Sequence, residues 1–170
     1  MAIVKFGHAS IPVSIGIKYI TNPNKTDVKL ISGKDCMPES VQSEMEFVQK
    51  LYTGSGTRSY YHMIQSFSPD DDLTPVQAHE IGMKMAEHCF PNNQVLVATH
   101  LDKNYLHNHF IINAVNLDGS KMLNMTYQKG IAIKEYSNEL CLQYGLTTTE
   151  VKSKRSNMPE WKKRLKYILE

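Results

Sequence analysis

The stretch Gln94-Val-Leu-Val-Ala-Thr-His100-Leu-Asp102-Lys-Asn-Tyr105-Leu-His107-Asn-His109-Phe-Ile-Ile-Asn113-Ala-Val-Asn116 decides the fold. Two apolar, β-branched runs, 94–100 and 107–116, flank a short polar link, the pattern of two strands joined as a hairpin. Residues i and i+2 of a strand share a face. His107, His109, Ile111 and Asn113 therefore project together, and Phe110, Ile112 and Ala114 form the opposite, core-facing side. A hairpin brings His100, at the end of the first strand, beside this pair. Three neutral imidazoles converging on one point of a sheet suit a divalent metal and leave positions open for water or substrate. Asp102 stands between them as a carboxylate that either orients one imidazole or accepts a proton.

Outward from this hairpin the chain alternates strands and helices. Residues 3–6 and 60–67 are predicted strands, the second rich in aromatic and β-compatible residues, and 27–31 alternate like an edge strand. Helices are predicted over 10–20, with Ser10 as cap and Pro12 in the first turn, and over 38–51, with Val41, Met45, Val48 and Leu51 on one stripe. Two more run from Thr74-Pro75 to about Cys89 and over 128–144, the latter closed by Gly145. Asp118-Gly119 turns into a further short strand at 121–123. Strands paired as hairpins with helices between them predict an α+β fold, a mainly antiparallel sheet with helices packed on it.

The 170 residues amount to about one domain, long enough to bury a core of its own. With 41% hydrophobic and 21% charged residues the composition excludes a wholly disordered chain. No run approaches the roughly 18 apolar residues of a membrane span, and the first residues lack the layout of a secretory signal. Cys36, Cys89 and Cys141 are odd in number and far apart. They argue against a disulfide framework or a zinc knuckle, and for a reducing cytoplasm. The net charge of +2 is uneven: residues 151–170 hold seven basic and two acidic residues, leaving twelve basic and fifteen acidic in residues 1–150. A basic tail on a slightly acidic body points to a polyanion partner or to a solvated helical face. Trp161 among its lysines suits base stacking or anchors a core.

The pattern H-x-D-x-x-x-x-H-x-H resembles that of plasmid-mobilisation relaxases of the HUH endonuclease superfamily, most closely the relaxase/mobilisation nuclease family of MOBP type. Tyr19-Ile-Thr-Asn-Pro-Asn-Lys25-Thr26 is similar to the family's N-terminal segment. Tyr61-His62-x-x-x-Ser66-Phe67-Ser68-Pro69 is similar to its second motif, and Val97–His100 and Asn113–Asn116 flank the third as in the family. These motifs cover most of residues 15–120.

The resemblance implies a relaxase-like fold and a DNA strand transferase that nicks one strand at an origin of transfer. Tyr19 would be the nucleophile, forming a 5′-phosphotyrosine adduct, and His100, His107 and His109 would hold Mn²⁺ or Mg²⁺. A soft imidazole shell favours Mn²⁺ or a later transition metal over Mg²⁺. Asp102, or His62, would accept the phenolic proton. Lys25, Ser66 and Ser68 are candidate phosphate contacts. The implied partners are single-stranded origin DNA with an adjacent hairpin, and accessory DNA-binding and coupling proteins; a monomer is expected. The implied setting is the bacterial cytoplasm, with transfer alongside the DNA during conjugation. Residues 1–150 are expected to form the catalytic domain and 151–170 a basic extension leading into a longer chain. On residues alone, Tyr60, Tyr61 and Tyr105 remain rival tyrosines, and Tyr19 could simply pack beside Ile20. Tyr136 would serve a replication initiator or transposase of the same superfamily. A three-histidine metallohydrolase and a non-catalytic DNA-binding module are further alternatives.

Overall fold

The computed structural model describes residues 2–151; the basic tail and Trp161 lie outside the described residues. In chain order the elements are β1 (Ala2–Ala9), α1 (Val13–Ile20), β2 (Ile31–Lys34), α2 (Val41–Leu51), β3 (Tyr60–Phe67), α3 (Pro75–Cys89), β4 (Val95–His100), β5 (His107–Asn113) and α4 (Tyr127–Gln143). The five strands form one antiparallel sheet in the order β1-β3-β5-β4-β2. Among the described residues only β4 and β5 are a true hairpin. The other pairs join strands separated by helices, so the expectation of successive hairpins holds at the histidine stretch alone.

This order puts β5 at the centre of the sheet, and all seven of its residues are buried. One face carries Val4, Tyr61, Met63, Val97, Phe110 and Ile112 and packs beneath α3 and α4. The other carries Tyr60, Leu96, Ala98 and Ile111 and is covered by Val13 and Ile20 of α1 and Val41 and Met45 of α2. Both faces of β5 are therefore covered, so that even its polar residues, His107, Asn108, His109 and Asn113, are buried. The α1/α2 layer covers the second face incompletely. Its uncovered end is where the histidines emerge.

Local signals explain most element ends. Thr74 and Gln77 form a reciprocal capping box on α3, and Gly145, at φ +71°, closes α4 in the left-handed conformation that glycine adopts freely. Three expectations shift. Residues 27–31 are not a strand: Asp27 accepts from the Lys29 amide at 2.9 Å and caps a 3₁₀ turn, Val28–Leu30, and the edge strand follows at Ile31. Pro12, not Ser10, occupies the cap position of α1, with no side-chain cap. Residues 121–123 contribute a single bridge, Val115 to Met122, rather than a strand.

Candidate metal and DNA-processing centre

The strand register assembles the site. His100 lies opposite His107 across the hairpin, Ala98 opposite His109, and Ser66 and Ile64 of β3 opposite His107 and His109 on the other side. Paired residues share a face, so His100, His107, His109 and Ser66 all project from one patch of the sheet. The ligating nitrogens of the three histidines lie within 4.8 Å of one another. The three rings are buried to within 5% of full coverage, yet the cluster lines an open cleft of about 290 Å³.

α1 delivers Tyr19 to the same place. It sits in the last turn of the helix, half-exposed at 49%, because Ile20 takes the buried position beside it. Its ring centroid is 5.8 Å from that of His109, 6.0 Å from His62 and 6.4 Å from His100. The helix end is tied to the cluster through the backbone: His100 Nε2 lies 2.8 Å from the Ile20 carbonyl oxygen. A carbonyl only accepts, so Nε2 carries the proton and Nδ1 keeps the lone pair. The loop after α1 is held as firmly. The Thr26 hydroxyl donates to the Thr99 carbonyl at 2.6 Å, and the Leu101 amide donates to the Lys25 carbonyl at 2.7 Å. This places the Lys25 ammonium 4.3 Å from the centroid of the Tyr19 ring.

The remaining expected residues divide. Asp102 Oδ1 is 3.5 Å from His107 Nε2, at the edge of the cluster, in ion-pair range of that imidazole. Ser66 lines the cleft. Ser68 does not: it lies beyond the end of β3, its hydroxyl accepts from the Asp70 amide at 3.2 Å, and it borders a neighbouring cleft of about 120 Å³. Two cleft lysines escaped the sequence reading. Lys5 pairs with Ile64 in register, so it reaches the histidine face from β1, and Lys103 comes from the hairpin link. The period-2 alternation of β1 could have found Lys5 had its pairing with β3 been evident. Against these lysines Asp102 is the one carboxylate among the described cleft residues, so the cleft favours an anion.

Of the rival tyrosines, Tyr60 is buried against Gly16 of α1, and Tyr61 donates its hydroxyl to the Leu123 carbonyl at 3.0 Å. Tyr136 stacks on His88, on the α3/α4 side. Tyr105 remains near, its ring 5.4 Å from that of His107.

Burial lowers the affinity of all three cluster imidazoles for protons. Desolvation is the main cause for His100 and His107. For His109, desolvation and then the neighbouring His100, His62 and His107 push the pKa down to about 2. Neutral imidazole is the form that ligates metal. Three neutral nitrogen donors, close enough to share one ion and open on one side, fit a divalent cation with room for an oxygen ligand.

The family model of the MobA/VirD2-like relaxase nuclease domain matches residues 19–146. Relatives include Protein rlx of Staphylococcus aureus, 34% identical over 119 residues, which are 70% of this chain and 38% of that protein. Group II intron-interrupted relaxase LtrB of Lactococcus lactis subsp. cremoris is 46% identical over 65 residues, 38% of this chain and 12% of that protein. The chain thus spans about two-fifths of the length of the rlx relatives it matches. Among solved structures, a chain from the molecular basis of vancomycin resistance transfer in Staphylococcus aureus superposes with TM-score 0.63 at 9% identity, covering 90% of this chain and 99% of that one. A Mn-bound MobM relaxase domain (MOBV; Mob_Pre) in complex with 22 nucleotides of plasmid pMV158 oriT DNA gives TM-score 0.63 at 13% identity, covering 89% and 92%. These similarities establish the shared α+β fold, and the family match over three-quarters of the sequence establishes membership. The chain belongs to the MobA/VirD2-like relaxase family and contains its nuclease domain.

Proposed function

We propose that this domain nicks one DNA strand at an origin of transfer through a covalent tyrosine intermediate, in the mobilisation of a plasmid or integrative element. The observation that carries the proposal is the meeting of a solvent-reachable Tyr19 with three neutral imidazoles in one lysine-rimmed cleft. The fold likeness to a relaxase domain bound to oriT DNA supports the same reading.

In this mechanism the DNA strand lies in the cleft with its backbone against Lys5, Lys25 and Ser66, contacts that position a phosphate without reading its sequence. His100, His107 and His109 would hold a divalent cation, Mn²⁺ or Mg²⁺, which would supply Lewis-acid neutralisation of charge on the phosphate. Tyr19 Oη attacks phosphorus. The new bond is O–P to the 5′ phosphate, the bond broken is P–O3′, and the released 3′ oxygen takes up one proton to leave as a hydroxyl, matching the proton the phenol gives up. Phosphoester replaces phosphoester, so the step is reversible and religation needs no nucleotide cofactor. The phenolic proton, on a group with a reference pKa near 10, needs an acceptor. Asp102 is the carboxylate of the cleft and takes that role or steadies His107. Ser68, turned into its own loop, acts on DNA only where the strand leaves the cleft toward the neighbouring groove.

On this reading residues 1–150 are the catalytic domain and 151–170 lead toward further parts of a longer chain. The substrate is single-stranded nick-site DNA with an adjacent hairpin. The protein works as a monomer in the bacterial cytoplasm with accessory DNA-binding and coupling proteins, and travels with the transferred strand. No helix among the described residues is long and apolar enough to cross a membrane. The test is incubation with single-stranded oligonucleotides from the element's own transfer origin, with Mn²⁺, Mg²⁺ or EDTA, on denaturing gels. A metal-dependent cut with a protein-linked 5′ product is expected. Cleavage leaving both ends free would replace the proposal with a hydrolytic nuclease.

A further inference from the structure

A fourth histidine stands beside the cluster. His62 of β3 lies one pair along from Ile64, on the same face, and its Nε2 is 2.8 Å from His109 Nδ1. Two imidazole nitrogens at that distance share one proton: one ring donates and the other accepts. The two arrangements differ in consequence. If His62 donates, His109 Nδ1 holds the lone pair, its proton sits on Nε2, and neither nitrogen of His109 is free to ligate. If His109 donates from Nδ1, its Nε2 lone pair is available to the cluster.

We propose that His62 is a positioning residue for the metal site: its Nε2 accepts the Nδ1 proton of His109, fixing His109 in the tautomer whose Nε2 faces a cation. This rests on the metal-dependent reading above. It gives His109 an outer partner of its own, as the Ile20 carbonyl is for His100 and the Tyr105 carbonyl, 3.4 Å from His107 Nδ1, is for His107. Each imidazole is then oriented by a different neighbour, drawn from α1, β3 and the hairpin link. The assignment also removes His62 from the acceptors for the Tyr19 proton. Its Nε2 lone pair is engaged, and in the neutral ring its Nδ1 carries a proton.

Two measurements test it. In metal-free protein labelled with ¹⁵N-histidine, long-range ¹H–¹⁵N correlation reads the tautomer of His109 directly. A proton on Nδ1 is expected, and a proton on Nε2 overturns the inference whether or not the protein binds metal. Calorimetric titration with Mn²⁺ then compares the native domain with His62→Leu and His62→Gln. Loss of an outer partner typically weakens metal affinity about 10- to 100-fold. His62→Leu should show that loss and His62→Gln, whose side-chain oxygen accepts a hydrogen bond, should recover most of it. Leucine and glutamine variants equally weakened while both melt like the native protein would overturn the proposal, as would a leucine variant of native affinity. Failure of the native domain to bind Mn²⁺ would instead sink the metal-dependent reading, leaving the tautomer to decide the role of His62.

Discussion

Gly16 is the position where a single methyl group should uncouple stability from activity. A Cβ built there would stand 2.7 Å from Tyr60 Cζ, 2.8 Å from Cε2 and 2.9 Å from Oη. Carbon atoms pack at roughly 3.5–4.0 Å, so about 1 Å must be found. Tyr60 is 4% exposed and wedged among Val13, Ile20 and Leu96, so its ring has little room to swing away. α1 must lift. Alanine is about 1 kcal/mol better than glycine inside a helix, which offsets part of an overpacking cost of about 1–3 kcal/mol. The net loss of stability is about 0–2 kcal/mol. Tyr19, three residues on in the same short helix, moves with it, as does the Ile20 carbonyl that steadies His100. A misplacement of about 1 Å at a reacting group costs about 100-fold in rate. Gly16→Ala should therefore melt within a few degrees of the native protein yet form the DNA adduct about 100-fold more slowly in single-turnover assays. The double variant Gly16→Ala/Tyr60→Leu, which removes the obstructing ring, should recover part of the rate. A native adduct rate in Gly16→Ala would refute the placement of Tyr19 by the α1–β3 contact.

Four further outcomes follow from the same geometry. Tyr19→Phe should abolish the covalent adduct while leaving Mn²⁺ affinity within about twofold by calorimetry, the hydroxyl being absent from the donor set; a persistent adduct would move the nucleophile elsewhere. His109→Ala should lose Mn²⁺ binding at concentrations that saturate the native domain, since two imidazoles remain; undiminished binding would place the metal elsewhere. Burial holds His62, His79, His100, His107 and His109 below the ordinary imidazole value. The unfolded chain therefore takes up protons below about pH 6.5 that the folded one refuses, and stability should fall as pH drops through that point toward the depressed native values. Denaturant melts between pH 7.5 and 5 check this, and rising stability on acidification would contradict it. On the opposite face of β5, Asn108 accepts from the Thr99 hydroxyl at 2.7 Å and donates to the Ala78 carbonyl at 2.7 Å and to Gln65 at 3.2 Å. Asn108→Ala should cost about 1–3 kcal/mol, the penalty of leaving buried partners unpaired, and a melt unchanged from native would show that the network rearranges.

How much of this was legible in the sequence depends on whether the signal is local. β3, α3 and the β4–β5 hairpin were readable because their cues lie within the segment: aromatic alternation at 60–67, Thr74-Pro75 opening a helix, and a short polar link between apolar runs. The convergence of His100, His107 and His109 follows from that hairpin alone, and the structure brings them together. Long-range pairing was not legible. Nothing in residues 2–9 says that β1 pairs with β3, so Lys5 could not be placed at the cleft. The helical signature of Tyr19 fits packing as well as chemistry, and only α1 docking on the sheet turns it toward the histidines. His62 was visible as part of the second motif and as a candidate acceptor for the phenolic proton, but its contact with His109 depends on β3 lying beside β5 rather than beside a sequential partner. The 3₁₀ turn at Val28–Leu30 was missed because a capping Asp27 outweighs five residues of weak alternation.

The most direct test of the account is peptide mapping of the covalent product. The native domain is reacted with single-stranded DNA from its own transfer origin in Mn²⁺, digested with protease and nuclease, and the nucleotide-bearing peptide is sequenced by mass spectrometry. The account predicts one modified peptide, with the 5′ phosphate on Tyr19, absent when EDTA replaces the metal. A modification on Tyr105 or any other residue, or an adduct indifferent to EDTA, would contradict it.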